Sequence, residues 1–103
     1  MKGDPVVPEI DTMVHEPARL RLLTYLSLLE RADFVYLLGQ SGLSKGNLSV
    51  QMGKLSEAGL VRVDKEFVDN RPRTTYTLTD AGRTRLAEYR RTLGSILAAL
   101  PRA

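Results

Sequence analysis

The stretch that most restricts how this chain folds runs Gly42-Leu43-Ser44-Lys45-Gly46-Asn47-Leu48-Ser49-Val50-Gln51-Met52-Gly53-Lys54-Leu55-Ser56-Glu57-Ala58-Gly59-Leu60. Leu48, Met52 and Leu55 recur at steps of four and three, so they share one face of a helix with a 3.6-residue period. Ser44 precedes that run and is placed to cap it, its hydroxyl accepting from a free N–H of the first turn. Gly59 supplies the left-handed residue that ends a helix, and apolar Leu60-Val61 follows at once. The expected helix therefore covers about 44–58. Asn47, Val50 and Lys54 fall opposite the apolar stripe, with Gln51 at its edge. A short helix showing small, amide and basic side chains on one face is a shape that a DNA major groove accepts.

Upstream, residues 1–9 contain Gly3, Pro5 and Pro8 without periodicity and read as a flexible arm. Ile10 to His15 leads into a first helix whose opening turn holds Pro17, with Asp11, Thr12 or His15 as alternative caps. Leu20, Leu23 and Tyr25 to Leu29 form its apolar face, ending near Glu30, while Arg19 and Arg21 project elsewhere. Arg31-Ala32-Asp33 reads as a short connection, with Asp33 capping a second helix from Phe34 to about Gln40. Ser41-Gly42 then turns into the helix that carries Leu48 and Met52.

After Gly59 the period changes to that of a strand through Leu60, Val61, Val63 and Phe67. Val68-Asp69-Asn70-Arg71-Pro72 reads as a turn in which Pro72 interrupts the ladder, and Arg73 to Leu78 as a second strand. This hairpin behind a helix-turn-helix is a wing, its exposed part at about 68–73. Thr79 or Asp80 then caps a last helix over about 80–100, carrying a stripe of Leu86, Tyr89, Leu93, Ile96, Leu97 and Leu100. The fold class expected is mainly α with a small β-hairpin (α+β): a winged helix-turn-helix with a long C-terminal helix, spanning 10–100.

The composition narrows the function. Fifteen Lys and Arg against twelve Asp and Glu leave a net charge of +3, so the placement of charge matters more than its total. With no cysteine, disulfides, thiol nucleophiles and Cys-based metal sites are excluded. His15 is the single histidine and is expected as a cap or a packed core residue rather than a ligand. Glu57, Asp64, Glu66 and Asp69 alternate with basic residues and form no acid–base pair, so neither an enzyme nor a metal or cofactor site is expected. The start lacks an apolar signal region and no run approaches a membrane span, which gives the expectation of a cytoplasmic, nucleoid-associated protein.

The candidate DNA contacts follow from the exposed faces. Ser44 and Lys45 lie where free N–H groups and the helix dipole favour a phosphate. Asn47, Ser49, Val50, Gln51 and Lys54 form the exposed face; asparagine and glutamine are able to pair with adenine, and valine to pack on a thymine methyl. Arg71 and Arg73 flank Pro72 on the wing, where phosphate or minor-groove contact suits them, with Lys65 and Asn70 in the same patch. The stripe of the last helix, Leu86, Tyr89, Leu93, Ile96, Leu97 and Leu100, is core at its start and dimer interface toward its end. Gly53, in mid-helix, costs roughly 1 kcal/mol relative to alanine and marks either close backbone approach or tolerance.

Together these segments resemble the winged helix-turn-helix transcriptional regulators of the MarR- and ArsR-like superfamily, in their small single-domain form. The resemblance is carried by His15-Glu16-Pro17-Ala18-Arg19-Leu20, by Gly42-Leu43-Ser44-Lys45-Gly46-Asn47-Leu48-Ser49 and by Arg71-Pro72-Arg73-Thr74. Leu55 to Val61 and Tyr76 to Arg83 match the family's joints as well. It implies a homodimeric regulator, more often a repressor, whose third helix enters the major groove of double-stranded DNA and whose wing touches the backbone or minor groove. Gln51 stands where similar proteins often carry histidine, which puts base preference apart. A small apolar effector between the first and last helices is compatible with this picture. The alternative is a winged-helix protein–protein module that does not bind DNA.

Overall fold

Three antiparallel strands and four helices make up the computed structural model, which describes residues 3–102. In chain order they are α1 (Pro17–Leu29), β1 (Arg31–Asp33), α2 (Phe34–Ser41), α3 (Lys45–Glu57), β2 (Val61–Val68), β3 (Arg71–Leu78) and α4 (Asp80–Ala99). Residues 4–11 carry no regular structure, and the part of the expected arm at residues 1 and 2 lies outside the described residues.

The start of α1 differs from all three expected caps. Glu16 is the cap, its carboxylate accepting from the N–H groups of Ala18 at 3.0 Å and Arg19 at 2.9 Å. Pro17 decides this: the residue before a proline is held in extended backbone, which is what a cap requires. Burial pushes the Glu16 carboxyl up, but the Arg19 and Ala18 N–H groups and the nearby cations outweigh it and hold it below its ordinary value. Asp11 instead closes a turn by accepting from the Met13 N–H at 3.0 Å. His15 is neither cap nor core; it is exposed at the rim, its Nδ1 bonded to the Tyr89 hydroxyl at 2.8 Å.

Leu22, Leu23, Leu26, Leu37, Leu48 and Leu55 are fully buried, with Met52, Val14 and Leu60 beside them. Each such side chain contributes roughly 2 kcal/mol of burial. The core thus lies between α1, α2 and α3, and the α3 stripe of Leu48, Met52 and Leu55 faces it as its spacing requires. Two of the leucines expected on the apolar face of α1, Leu28 and Leu29, are exposed instead.

The sheet has the order β1-β3-β2. Arg31-Ala32-Asp33 is not a plain connection: it pairs with Thr75 to Thr77 of β3. Backbone groups leaving the end of α1 need partners, and the open edge of β3 supplies them; the Leu78 N–H donates to the Glu30 carbonyl at 3.1 Å just beyond the ladder. Glu30 makes the corner at φ 68°. Asp33 does cap α2, accepting from the Tyr36 N–H at 2.8 Å.

The wing also runs further than expected. The ladder extends to Phe67↔Pro72 and Val68↔Arg71, and only Asp69 and Asn70, both at positive φ, form the turn. In such a two-residue hairpin the flanking pair is hydrogen-bonded and the next pair is not. The missing N–H of Pro72 therefore faces away from β2, on the side that β1 does not reach.

Gly59, at φ 76°, ends α3. Thr79 joins this point to α4: its N–H donates to the Leu60 carbonyl, its hydroxyl donates to the Gly59 carbonyl at 2.7 Å, and the same oxygen accepts from the Gly82 N–H at 3.0 Å. Gly82 is required here, because a Cβ would run into the Leu60 carbonyl oxygen and stand 2.7 Å from Leu78 Cδ1. The radius of gyration is 16.6 Å, against about 13 Å for a compact chain of this length; the molecule is elongated, 65 × 27 × 21 Å.

Candidate nucleic-acid interface

Ser44 caps α3 as its position suggests, its hydroxyl accepting from the Asn47 N–H at 3.1 Å. Behind it Lys45, Asn47, Ser49, Val50 and Lys54 are all exposed, and Val50 retains 53% of its surface. Asn47, Val50 and Lys54 lie opposite the buried Leu48, Met52 and Leu55, while Lys45 and Ser49 are exposed at the flank of that stripe.

Gln51 differs from the others. It is half-buried, accepting from Arg19 Nη1 through Oε1 at 2.8 Å and donating through Nε2 to Asn47 Oδ1 at 3.0 Å. Arg19 does not project away, as α1 alone suggested. Only 11% of its side chain is exposed, and it donates to the carbonyls of Met13 at 2.6 Å and Thr12 at 3.2 Å as well as to Gln51. Its partner on α3 lies thirty-two residues away in sequence, so no local pattern pointed to it; the one signal was its place in His15-Glu16-Pro17-Ala18-Arg19.

Across an antiparallel ladder, directly opposed residues lie on one face. Lys65 opposes Thr74 and Phe67 opposes Pro72, in the set that continues through Val63 and Tyr76 beneath α3. Arg73 opposes Glu66 and Arg71 opposes Val68, on the other face. The wing's basic residues are thus divided between its two sides, with Asn70 at the tip. Arg71 is free among the described residues, whereas Arg73 forms an ion pair with Asp33 at 3.2 Å. Asp33 therefore serves both as the α2 cap and as the anchor of a wing arginine.

Between α3 and β2 runs a groove of about 620 Å³ lined by Ser49, Met52, Gly53, Ser56, Glu57, Val63 and Lys65, with Tyr76 below. Burial pushes the Tyr76 hydroxyl above its ordinary value. Nothing lies within 4 Å of where a Gly53 side chain would start. Gly53 is not explained by close approach within the protein; it leaves the groove open.

A second groove, of about 450 Å³, lies between α1 and α4, lined mainly by Leu20, Leu28, Leu86, Ala87 and Leu93. Of the stripe on α4, Tyr89 is buried within the chain's own core at 4% exposure, its spacing having grouped it with the expected interface. Leu86, Leu93 and Ile96 are half-buried. Leu97 and Leu100 are exposed at 58% and 59%.

Residues 18–97 match the family described as winged helix DNA-binding domain. An uncharacterised protein of Methanocaldococcus jannaschii is 34% identical over 71 residues, covering 69% of this chain and 77% of its own length. Among solved structures, a transcriptional regulator homologue from Pyrococcus horikoshii superposes with a TM-score of 0.81 at 28% identity, over 87% of this chain and 89% of the other. A possible transcriptional regulator for arsenical resistance gives 0.64 at 25% identity, over 87% and 94%. A MepR-like protein solved with pseudoligands shares the fold at 0.66 and 18% identity, over 82% and 62%. The chain belongs to the winged helix DNA-binding domain family and has the fold of its transcriptional regulators.

Proposed function

We propose that this protein is a sequence-specific, double-stranded DNA-binding transcriptional repressor that acts as a homodimer, with α3 in the major groove and the wing at 68–73 on the backbone or minor groove. One observation carries this: α3 keeps Asn47, Val50 and Lys54 exposed on the side away from its buried stripe, with Lys45 and Ser49 exposed at the flank, beside a wing bearing Lys65, Asn70 and Arg71. The groove floored by Gly53 lies between those two elements and supports passage of a phosphate strand there. Ser44 and Lys45, at the free N–H end of α3, fit a positioning role on phosphate.

The dimer is supported by unmatched apolar surface. Leu97 and Leu100 near the end of α4 have no apolar cover, and the α1–α4 groove with exposed Leu28 is of the same character. A two-fold pairing in which each protomer's α4 end covers the other's groove removes both from water. A two-fold dimer would present two copies of α3 to successive major grooves, about 34 Å apart on one DNA face. An apolar effector is the other occupant suited to that groove.

Exposed Val35 and Phe67, at 77% and 78%, favour a second reading, a protein–protein module. Selection of bound fragments from random DNA, read by sequencing, separates the two. A palindromic motif is the expected result; recovery of no DNA at low salt sinks the proposal in favour of the second reading.

A further inference from the structure

We infer that Arg19 and Gln51 form a positioning relay that fixes which way Asn47 faces, so that Asn47 presents its amide as a donor and reads adenine. This rests on the DNA-binding role proposed above. An arginine has only donors, so the Gln51 group that meets Arg19 Nη1 at 2.8 Å is its oxygen, Oε1. That leaves Nε2 toward Asn47, at 3.0 Å from an atom that must accept, and Asn47 answers with Oδ1. A donor in that place would oppose a donor. The orientation of both amides thus follows from one buried guanidinium.

Arg19 is itself unable to turn away easily. It is anchored to the Met13 and Thr12 carbonyls, and Glu16 lies 3.7 Å from Nη1. The relay therefore passes from the turn ahead of α1, through α3, to an exposed asparagine.

Among the described residues, Asn47 Nδ2 has no hydrogen-bond partner, and the residue is exposed. Nδ2 is left for an acceptor outside the protein, while Oδ1 keeps one lone pair. A donor beside an acceptor matches the N7 and N6 amino edge of adenine in the major groove, whereas cytosine, which offers only a donor there, leaves Nδ2 without an acceptor. Gln51, with both ends of its amide engaged, acts through Asn47 rather than as an independent reader.

The test is selection from random duplex DNA with the full chain, in parallel for the wild type, Asn47→Ala, Gln51→Met and Gln51→Glu. The wild-type motif is expected to hold an adenine, once per half-site, that Asn47→Ala erases. Gln51→Met should weaken preference at that same position by about tenfold, a larger loss than it causes on a random duplex. Gln51→Glu replaces the donor with a carboxylate, turns Asn47 about, and should shift that position toward cytosine. Arg19→Met should broaden the same position, but it also releases the Met13 and Thr12 carbonyls, so Gln51→Met is the decisive variant. Preference intact in Gln51→Met, or equal loss on selected and random duplexes, overturns the relay while leaving DNA binding standing. A wild type that selects no motif overturns sequence-specific binding, and base reading by Asn47 with it.

Discussion

Arg85 of α4 donates to both carboxylate oxygens of Asp11, at 2.5 Å from Nε and 3.1 Å from Nη2, and so fastens the turn ahead of α1 to the last helix. The Arg85 bond, with the N–H groups of Met13 and Val14, holds the Asp11 carboxyl below its ordinary value. The same bond raises Arg85. Of the two partners only the carboxylate takes up a proton as pH falls into the acid range.

A carboxyl lowered on folding binds more protons in the unfolded chain than in the folded one, so its stabilisation is present above the unfolded value and lost as pH falls through the folded one. Asp11 and Glu16 are both lowered, so thermal stability should decline as pH drops below about 4. Asp11→Asn removes one of the two contributions. Its stability should fall at pH 7 by no more than about 1 kcal/mol, because the pair is partly open to water, with a correspondingly lower melting temperature, and the decline into acid should become shallower. Parallel melting curves of variant and wild type from pH 7 to 3 would refute the assignment.

The joint between the sheet and α4 is sterically closed. Gly82→Ala places a methyl against the Leu60 carbonyl, which is itself held by the Thr79 N–H. A loss of about 1–3 kcal/mol is expected from overpacking. Gly53→Ala, with open space around it, serves as the control and should gain up to about 1 kcal/mol in the free protein. Urea unfolding of the two variants checks this; equal effects would disprove the contrast.

The two wing arginines should differ on DNA. Arg71 is unpaired among the described residues, while Arg73 is shared with Asp33. Arg71→Ala is expected to lower the slope of log affinity against log salt by about 0.9, the yield of one lost phosphate contact. Arg73→Ala should change it by less, because an acidic neighbour already offsets that charge. Titration of a random duplex at several salt concentrations measures both, and a slope unmoved by Arg71→Ala would remove it from the interface.

Where side chains repeat with a period, the sequence was readable: Leu48, Met52 and Leu55 declare both the face of α3 and what it packs on, and Ser44 and Gly59 mark its ends. The cap at Glu16 was hidden because glutamate is a less usual cap than the aspartate and threonine nearby, although Pro17 dictated the backbone before it. The strand β1 escaped because three residues with a single apolar one show no alternation. Its pairing is decided by the free edge of β3, forty-odd residues later in the chain. Arg19 was misplaced for the same reason: on α1 it looks like one more surface charge, and its partners come from the preceding turn and from α3. On α4, spacing grouped Tyr89 with Leu93 and Leu97, yet the His15 bond and burial draw it inward.

Holding β3 between β2 and β1 gives the wing a mechanical character that a free hairpin lacks. Its root is clamped on both sides, and Arg73 pins its outer half to the first turn of α2. The tip at Asp69 and Asn70 therefore stands as the end of a lever whose fulcrum is Asp33. A shift of the α1–α2 corner would be carried outward to it, with larger travel at the tip than at the pivot.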